Sequence, residues 1–176
     1  LNSDRFTPSY NKPMVLVKDG EREIERLDIQ NRRPLSAELE AGVLQTLRNL
    51  LESERSLNAV MVADQVAIPN CGVISDRVRD GLVELAIEFP SVVFFADSRA
   101  NIAKFSDCIL KPNQFEAASI IDPNRLQGLT RAEAQQAGVE LARRNGKPVF
   151  VTLGPEGMLA CNSDSSQYVP GVKVDG

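Results

Sequence analysis

The apolar positions of this chain fall into two rhythms. After Ser36, residues Leu39, Val43, Leu47, Leu50 and Leu51 recur at helical spacing, as do Val78, Leu82, Leu85 and Ala86 after Ser75. Between such stretches stand short apolar runs at 59–63, 92–96, 108–111 and 148–152. Unbroken runs of this length predict strands buried on both faces. Helix starts carry their own signals. Ser36 can cap a helix whose first turn holds Glu38 and Glu40, where negative charge suits the helix dipole. Thr130-Arg-Ala-Glu133 is a capping box for a helix reaching about Asn145, and Gly146 is a natural stop. A short helical piece is expected near 101–105. Pro112 ends the third strand, and Asn113 opens a further helix through Glu116. Residues 157–160 and 167–169 read as strands of a terminal meander. The alternation predicts a three-layer α/β/α sandwich around a mostly parallel sheet.

Residues 1–33 follow neither rhythm. Residues 12–20 and 21–29 read as two extended stretches around Asp19-Gly20, a hairpin turn signal. Ile24, Arg26 and Asp28 share one face, and Glu25, Leu27 and Ile29 the other; neither is cleanly apolar. A β-flap outside the main core is expected, set apart from an α/β core at 34–176. Its strand edges are expected to invite pairing with a second copy of the chain.

Composition narrows the chemistry. The 176 residues carry 20 Lys and Arg against 24 Asp and Glu, a net charge of −4, and no histidine. Without imidazole, Ser-His-Asp and Cys-His mechanisms and His-ligated metals drop out. Mild acidity argues against nucleic acid as a partner. No apolar run approaches the roughly 20 residues that span a bilayer, so no membrane partner is expected. Cys71, Cys108 and Cys161 lie far apart with no CxxC, which points to a reducing, cytoplasmic setting. A start at Leu1 and a stop after Val174-Asp-Gly176 suggest a piece of something longer.

In open α/β sheets ligands bind beyond the carboxyl ends of the strands. Asp64, Asp97, Asn113 and Thr152-Leu-Gly154 all fall there. Asn113 with Glu116 reads as a plain capping box, or as an amide and a carboxylate that orient water around Mg²⁺ and phosphate oxygens. Thr152-Leu-Gly-Pro-Glu-Gly157 reads as an ordinary hairpin turn, or as a loop whose backbone approaches a phosphate. Asp64 and Asp97 read as turn caps, or as ligands for a metal or a hydroxyl. Neither GxxxxGK[ST] nor GxGxxG occurs, and no second acid follows two residues after Asp64 or Asp97, which disfavours P-loop, dinucleotide and HAD-type phosphatase readings.

Taken in order, VADQ, FFADSRANI, ILKPNQFEA and PVFVTLGPEGMLA resemble the ribokinase-like (PfkB) carbohydrate kinases. Asn113-x-x-Glu116 matches that family's N-x-x-E motif, and Thr152-Leu-Gly154 with Gly157 its T-L-G-x-x-G loop. The stretch from Thr7-Pro to Lys12 and Arg26-Leu-Asp28 resemble the lid of the heptose-phosphate branch. The resemblance implies phosphoryl transfer from ATP, with Mg²⁺, to a sugar or sugar phosphate. It implies that Asn113 and Glu116 hold the metal through water, that Thr152, Gly154 and Gly157 line the nucleotide, and that Lys12 and Asp64 meet the sugar side. The family's catalytic Asp sits in a G-A-G-D motif that this sequence lacks, so the chain is expected to be the middle of such a kinase. Asp64-Gln-Val66 also departs from the D-Y-G-K-G-like stretch of heptose kinases. The alternative is a doubly wound binding or interaction domain without catalysis.

Overall fold

The computed structural model describes residues 5–18 and 20–173. Four short strands come first: Ser9–Asn11 (β1), Met14–Val17 (β2), Gly20–Glu23 (β3) and Leu27–Ile29 (β4). After them alternate helix Ala37–Ser53 (α1), strand Ala59–Asp64 (β5), helix Asp76–Glu88 (α2), strand Val93–Ser98 (β6), strand Ile109–Leu110 (β7), helices Gln114–Ile121 (α3) and Arg131–Asn145 (α4), and strand Val149–Thr152 (β8). Strands Gly157–Cys161 (β9) and Ser166–Pro170 (β10) close the fold.

Six strands make one sheet in the order β10-β9-β8-β7-β6-β5. The run β5 to β8 is parallel, and β9 and β10 fold back antiparallel. Helices flank it, α1 packed on α2, and α3 on α4, with α4 also lying on β8 and β9. The core joins Val78, Leu82 and Leu85 of α2, Phe94 and Ala96 of β6, Leu110, Val149, Val151 and Leu159. This is the α/β architecture around a mostly parallel sheet expected from the sequence.

Helix starts follow the signals in the chain. Ser36 and Ser75 cap α1 and α2, and Thr130 with Glu133 forms the capping box of α4. Arg125 reaches the same Glu133 with both guanidinium ends, at 2.9 and 3.0 Å, and with Thr130 holds its carboxyl down at about 2. Gly146 ends α4 in the left-handed region, φ 74°.

Two expectations need correction and one is sharpened. Strand β5 is parallel as expected but is not buried on both faces: Met61 is 76% exposed while Val62 and Asp64 are buried. It is the sheet's edge strand, so only one face has a helix to cover it. The helical piece near 101–105 is a single 3₁₀ turn, Ile102–Lys104. The flap is not one long hairpin. Strand β2 pairs with β3, Val17 opposite Gly20, and β1 pairs separately with β4, both antiparallel and outside the main sheet. Asp19 of the expected turn lies outside the described residues. Strands β2, β3 and β4 are exposed throughout, Leu16 at 81%.

Candidate active site

Two groups of side chains gather at the carboxyl ends of the strands. The first lies beyond β7 and β8. Lys111 continues beside β6 through a bond from its N–H to Ala96 O (3.0 Å), and Pro112 O accepts from Thr152 N (2.9 Å). Asn113 and Thr152 therefore stand side by side as a parallel bridge. Asn113 caps α3: its Oδ1 accepts from Phe115 N (2.8 Å) and Glu116 N (2.9 Å). Glu116 returns the favour, its Oε2 accepting from Asn113 N at 2.8 Å. The capping box is thus complete, and it leaves over the amide Nδ2 of Asn113 and the second carboxylate oxygen of Glu116.

The electrostatics of this edge are mixed. Partial burial pushes the Glu116 carboxyl up, and nearby Asp97 pushes the same way; the Asn113 N–H, Lys111 and Arg99 oppose them. Lys111 Nζ pairs with Asp97 Oδ2 at 3.1 Å, and both side chains are about one-third exposed. A lysine and two acids thus face one spot beside a helix start.

The two glycines of the loop separate in role. Gly154 opens a 3₁₀ turn with φ 62°, and a Cβ there would meet nothing within 4 Å, so the space beside it is open to a ligand. Gly157, at φ 113°, is different. A Cβ on it would fall 2.1 Å from Val169 O and 2.5 Å from Gly171 N. Close backbone approach of β10 accounts for Gly157 without any nucleotide.

Mg²⁺ fits this edge in one way only. Asn113 Oδ1 already serves two N–H groups, so it is a poor metal ligand. Glu116 and Asp97 keep carboxylate oxygens for a cation or its waters. One or two carboxylates plus phosphate oxygens is the usual provision for Mg²⁺, which keeps several waters. Among the described residues no group of three or more Cys, Asp or Glu could hold a metal alone.

The second group lies under the flap. A cleft of about 610 Å³ runs between the flap root and the carboxyl end of β5, with Arg5, Thr7 and Tyr10 on one side and Asp64, Gln65 and Ile74 on the other. Asp64 is 3% exposed. Its Oδ2 accepts from Ser98 Oγ (2.7 Å) and Asn101 Nδ2 (3.4 Å), with Arg79 Nη2 at 3.9 Å. Arg79 is equally buried, lies over the Phe105 ring and pairs with Asp76 at 2.6 Å. Its Nε is buried with no partner among the described residues.

The flap root is braced over this floor. Asn31 is buried and binds the Phe6 backbone like a strand partner, donating to its O (2.8 Å) and accepting from its N (3.3 Å). Arg5 donates to Arg33 O (2.8 Å), Pro34 O (3.2 Å) and Cys71 O.

Of the sequence-derived candidates, Asn113, Glu116, Thr152 and Gly154 come together at the first edge. Asp64 is in the cleft floor. Lys12 sits on the flap in an exposed pair with Glu23 at 3.2 Å, outside the cleft walls. Sequence reasoning missed Lys111, Arg79, Ser98 and Arg5. Ser98 was within reach: β6 runs two residues past the apolar run, and alternation then puts Ser98 on the buried face opposite Asp64. Arg79 had no signal, since it sits next to the apolar stripe of α2.

Solved structures resemble this fold. Escherichia coli phosphofructokinase-2 in complex with potassium superposes with a TM-score of 0.59 at 18% identity, covering 86% of this chain and 47% of its own. The same enzyme in complex with fructose-6-phosphate gives 0.51 at 16%, over 86% and 49%. Ribokinase from Thermotoga maritima gives 0.54 at 21%, over 92% and 48%. The chain thus spans about half the length of these sugar kinases, and the likeness establishes a shared fold. No protein-family model and no curated protein matches the chain.

Proposed function

We propose that this chain carries the nucleotide-handling part of an ATP-dependent carbohydrate kinase that phosphorylates a hydroxyl of a sugar or sugar phosphate. The Asn113–Thr152 bridge carries the reading, because it joins the N-x-x-E helix start to the T-L-G-x-x-G loop at one sheet edge. Fold likeness to two sugar kinases supports it.

In this reading the triphosphate lies along that edge. Lys111 and the Asn113 amide donate to phosphate oxygens, and the open backbone at Gly154 lets a phosphate approach the Thr152 hydroxyl. Glu116 and Asp97 would hold Mg²⁺ through its waters, and the ion would neutralise charge on the phosphates. The acceptor hydroxyl would attack the γ-phosphorus as the bond from that phosphorus to the β–γ bridging oxygen breaks and ADP leaves, with the hydroxyl proton released to water. Positioning and charge neutralisation supply most of such catalysis. The sugar side lies under the flap near Asp64, with Lys12 on the flap itself, and flap closure excludes water. The flap's resemblance to the heptose-phosphate branch adds a heptose phosphate to the substrates worth testing.

Residues 1–33 then act as a lid on the 34–176 core. The exposed apolar run Met14–Val17 supports pairing of flaps in a homodimer, which sedimentation of the wild type against Leu16→Asp would reveal as a shift to monomer. The three buried free thiols suit a reducing cytoplasm.

The decisive experiment is a MgATP titration of the isotope-labelled chain. Amide shifts confined to Lys111–Glu116 and Thr152–Gly154 are expected. Absence of any shift at that edge would leave a doubly wound domain with a well-capped helix and no nucleotide function.

A further inference from the structure

A loop that meets a phosphate through its backbone gains from being shaped beforehand, because ordering it on binding costs affinity. The loop at 153–157 has few bonds of its own. Gly157 N–H donates to Gly154 O, and Leu153 N–H to Gly157 O at 2.8 Å. Glu156 N reaches Leu153 O only at 3.4 Å. Its backbone is demanding, with Gly154 at φ 62° and Gly157 at φ 113°. Resting on the kinase reading, we propose that Tyr168 of β10 is the positioning residue of this loop. Its hydroxyl, aimed by Arg131, holds the backbone in the form that presents Gly154 to a phosphate.

The end of β10 grips the loop at three points. Glu156 O accepts from Tyr168 Oη at 2.6 Å and from Gly171 N at 2.9 Å, which occupies both lone pairs of that carbonyl. A Cβ on Gly171 would fall 2.3 Å from Pro155 O, and one on Gly157 2.1 Å from Val169 O, so backbone presses on backbone on both sides of Glu156. Gly154, by contrast, faces open space. Among these contacts the Tyr168 bond is the one made by a side chain. It runs to a loop carbonyl, so Tyr168 acts through the backbone.

Arg131 steadies the ring. Its guanidinium carbon lies 4.8 Å from the Tyr168 ring centroid, within cation–π range. Arg131 is the first residue of α4, where the helix dipole disfavours a cation. The electron-rich ring face offsets that cost and draws the side chain toward β10. Tyr168 is 38% exposed, so burial alone does not fix its ring, and the Arg131 contact helps to aim the hydroxyl.

The test compares the wild type with Tyr168→Phe, which keeps the ring over Arg131 and deletes only the hydroxyl. Native-state amide exchange reads the loop without nucleotide. Leu153 and Gly157, whose N–H groups close the loop's own bonds, should exchange about fivefold faster, the scale of one hydrogen bond, while Val149 and Val151 of β8 hold. MgATP affinity, read from the Gly154 amide shift, should weaken by about the same factor. The melting temperature should fall by no more than about 4 °C. Arg131→Gln should weaken MgATP about twofold, and Arg131→Lys, which keeps a cation over the ring, should restore it. Unchanged exchange at Leu153 and Gly157 would overturn the proposal. So would faster exchange with full MgATP affinity, which makes Tyr168 a stability residue alone, or Arg131→Gln that behaves as the wild type. Silence of Gly154 toward MgATP in the wild type sinks the kinase reading instead, and loop exchange then decides whether Tyr168 shapes the loop.

Discussion

The edge beyond β7 and β8 and the floor of the cleft beyond β5 and β6 each hold a carboxylate, and the two are secured in opposite ways. Glu116 is fixed by its own turn: the partners are Asn113 and the helix start, three residues away. Asp64 is fixed by distant segments, Ser98 at the end of β6, Asn101 just after it and Arg79 on α2. Removing one local cap costs one helix end. Removing one member of the buried floor leaves charge or polar groups stranded among residues from three elements. The contrast predicts unequal sensitivity to substitution.

The largest effect should come from Arg79→Met. Taking away one partner of a buried ion pair typically costs about 3–5 kcal/mol, since the other is left uncompensated. The 3.9 Å separation from Asp64 and the exposure of Asp76 place Arg79 near the low end, about 3 kcal/mol. Denaturant unfolding measures it. A loss below about 1 kcal/mol would show that the floor is not held by its charges.

Next in size is Gly157→Ala. The left-handed backbone and the clash with Val169 O both oppose a side chain, and such strain costs about 1–3 kcal/mol. The same unfolding assay applies, with MgATP shifts at Gly154 retained. Unchanged stability together with lost nucleotide shifts would return Gly157 to the ligand, as its place in the T-L-G-x-x-G pattern suggested.

The same contrast explains what could be read from the chain. Four strand runs, the caps of α1, α2 and α4, the Asn113–Glu116 box and the outlying flap were legible because each is written in neighbouring residues. Periodicity and capping are local chemistry. The exposure of β5 was not legible, because an apolar run says nothing about whether a layer covers it. Nor was the split of the flap into β2–β3 and β1–β4, since the β1–β4 pairing, like the adjoining Asn31–Phe6 bond, joins residues far apart in the chain. The cleft floor escaped for the same reason: Arg79 and Ser98 acquire meaning only when α2 and β6 meet β5. Gly157 has two readings because a positive-φ glycine serves a ligand and a neighbouring backbone equally well, and the approach of β10 accounts for it by packing alone.

A smaller effect, of about 1 kcal/mol, is expected for Asn113→Ala through loss of the cap. Asn113→Ser sharpens this. Serine caps a helix as well as asparagine does, so the melting temperature should hold. Serine lacks the amide Nδ2, so MgATP affinity should drop if that group meets a phosphate. Equal affinity for the wild type and Asn113→Ser would confine Asn113 to capping.

The smallest effect on stability, and the sharpest test of the edge, belongs to Glu116→Gln. Burial and Asp97 raise the folded carboxyl above its ordinary range. The folded state therefore holds this proton more tightly than the unfolded state. Ionised Glu116 is a cost to folding that is full above its folded pKa and fades as pH falls through that value. Glutamine never ionises, and its amide oxygen still accepts from Asn113 N. At neutral pH the variant should thus melt within about 2 °C of the wild type, and the wild type should gain on it as pH falls through the raised folded pKa. Under the proposed function, phosphoryl transfer should not be spared. An amide oxygen holds Mg²⁺ and its waters more weakly than a carboxylate, so turnover should fall and more Mg²⁺ should be needed to reach half of it. Under the proposed function, Mg²⁺-titrated kinase assays beside melts at two pH values separate the roles. Wild-type kinetics at every Mg²⁺ level would leave Glu116 as half of a capping box, tuned by burial and without a part in phosphoryl transfer.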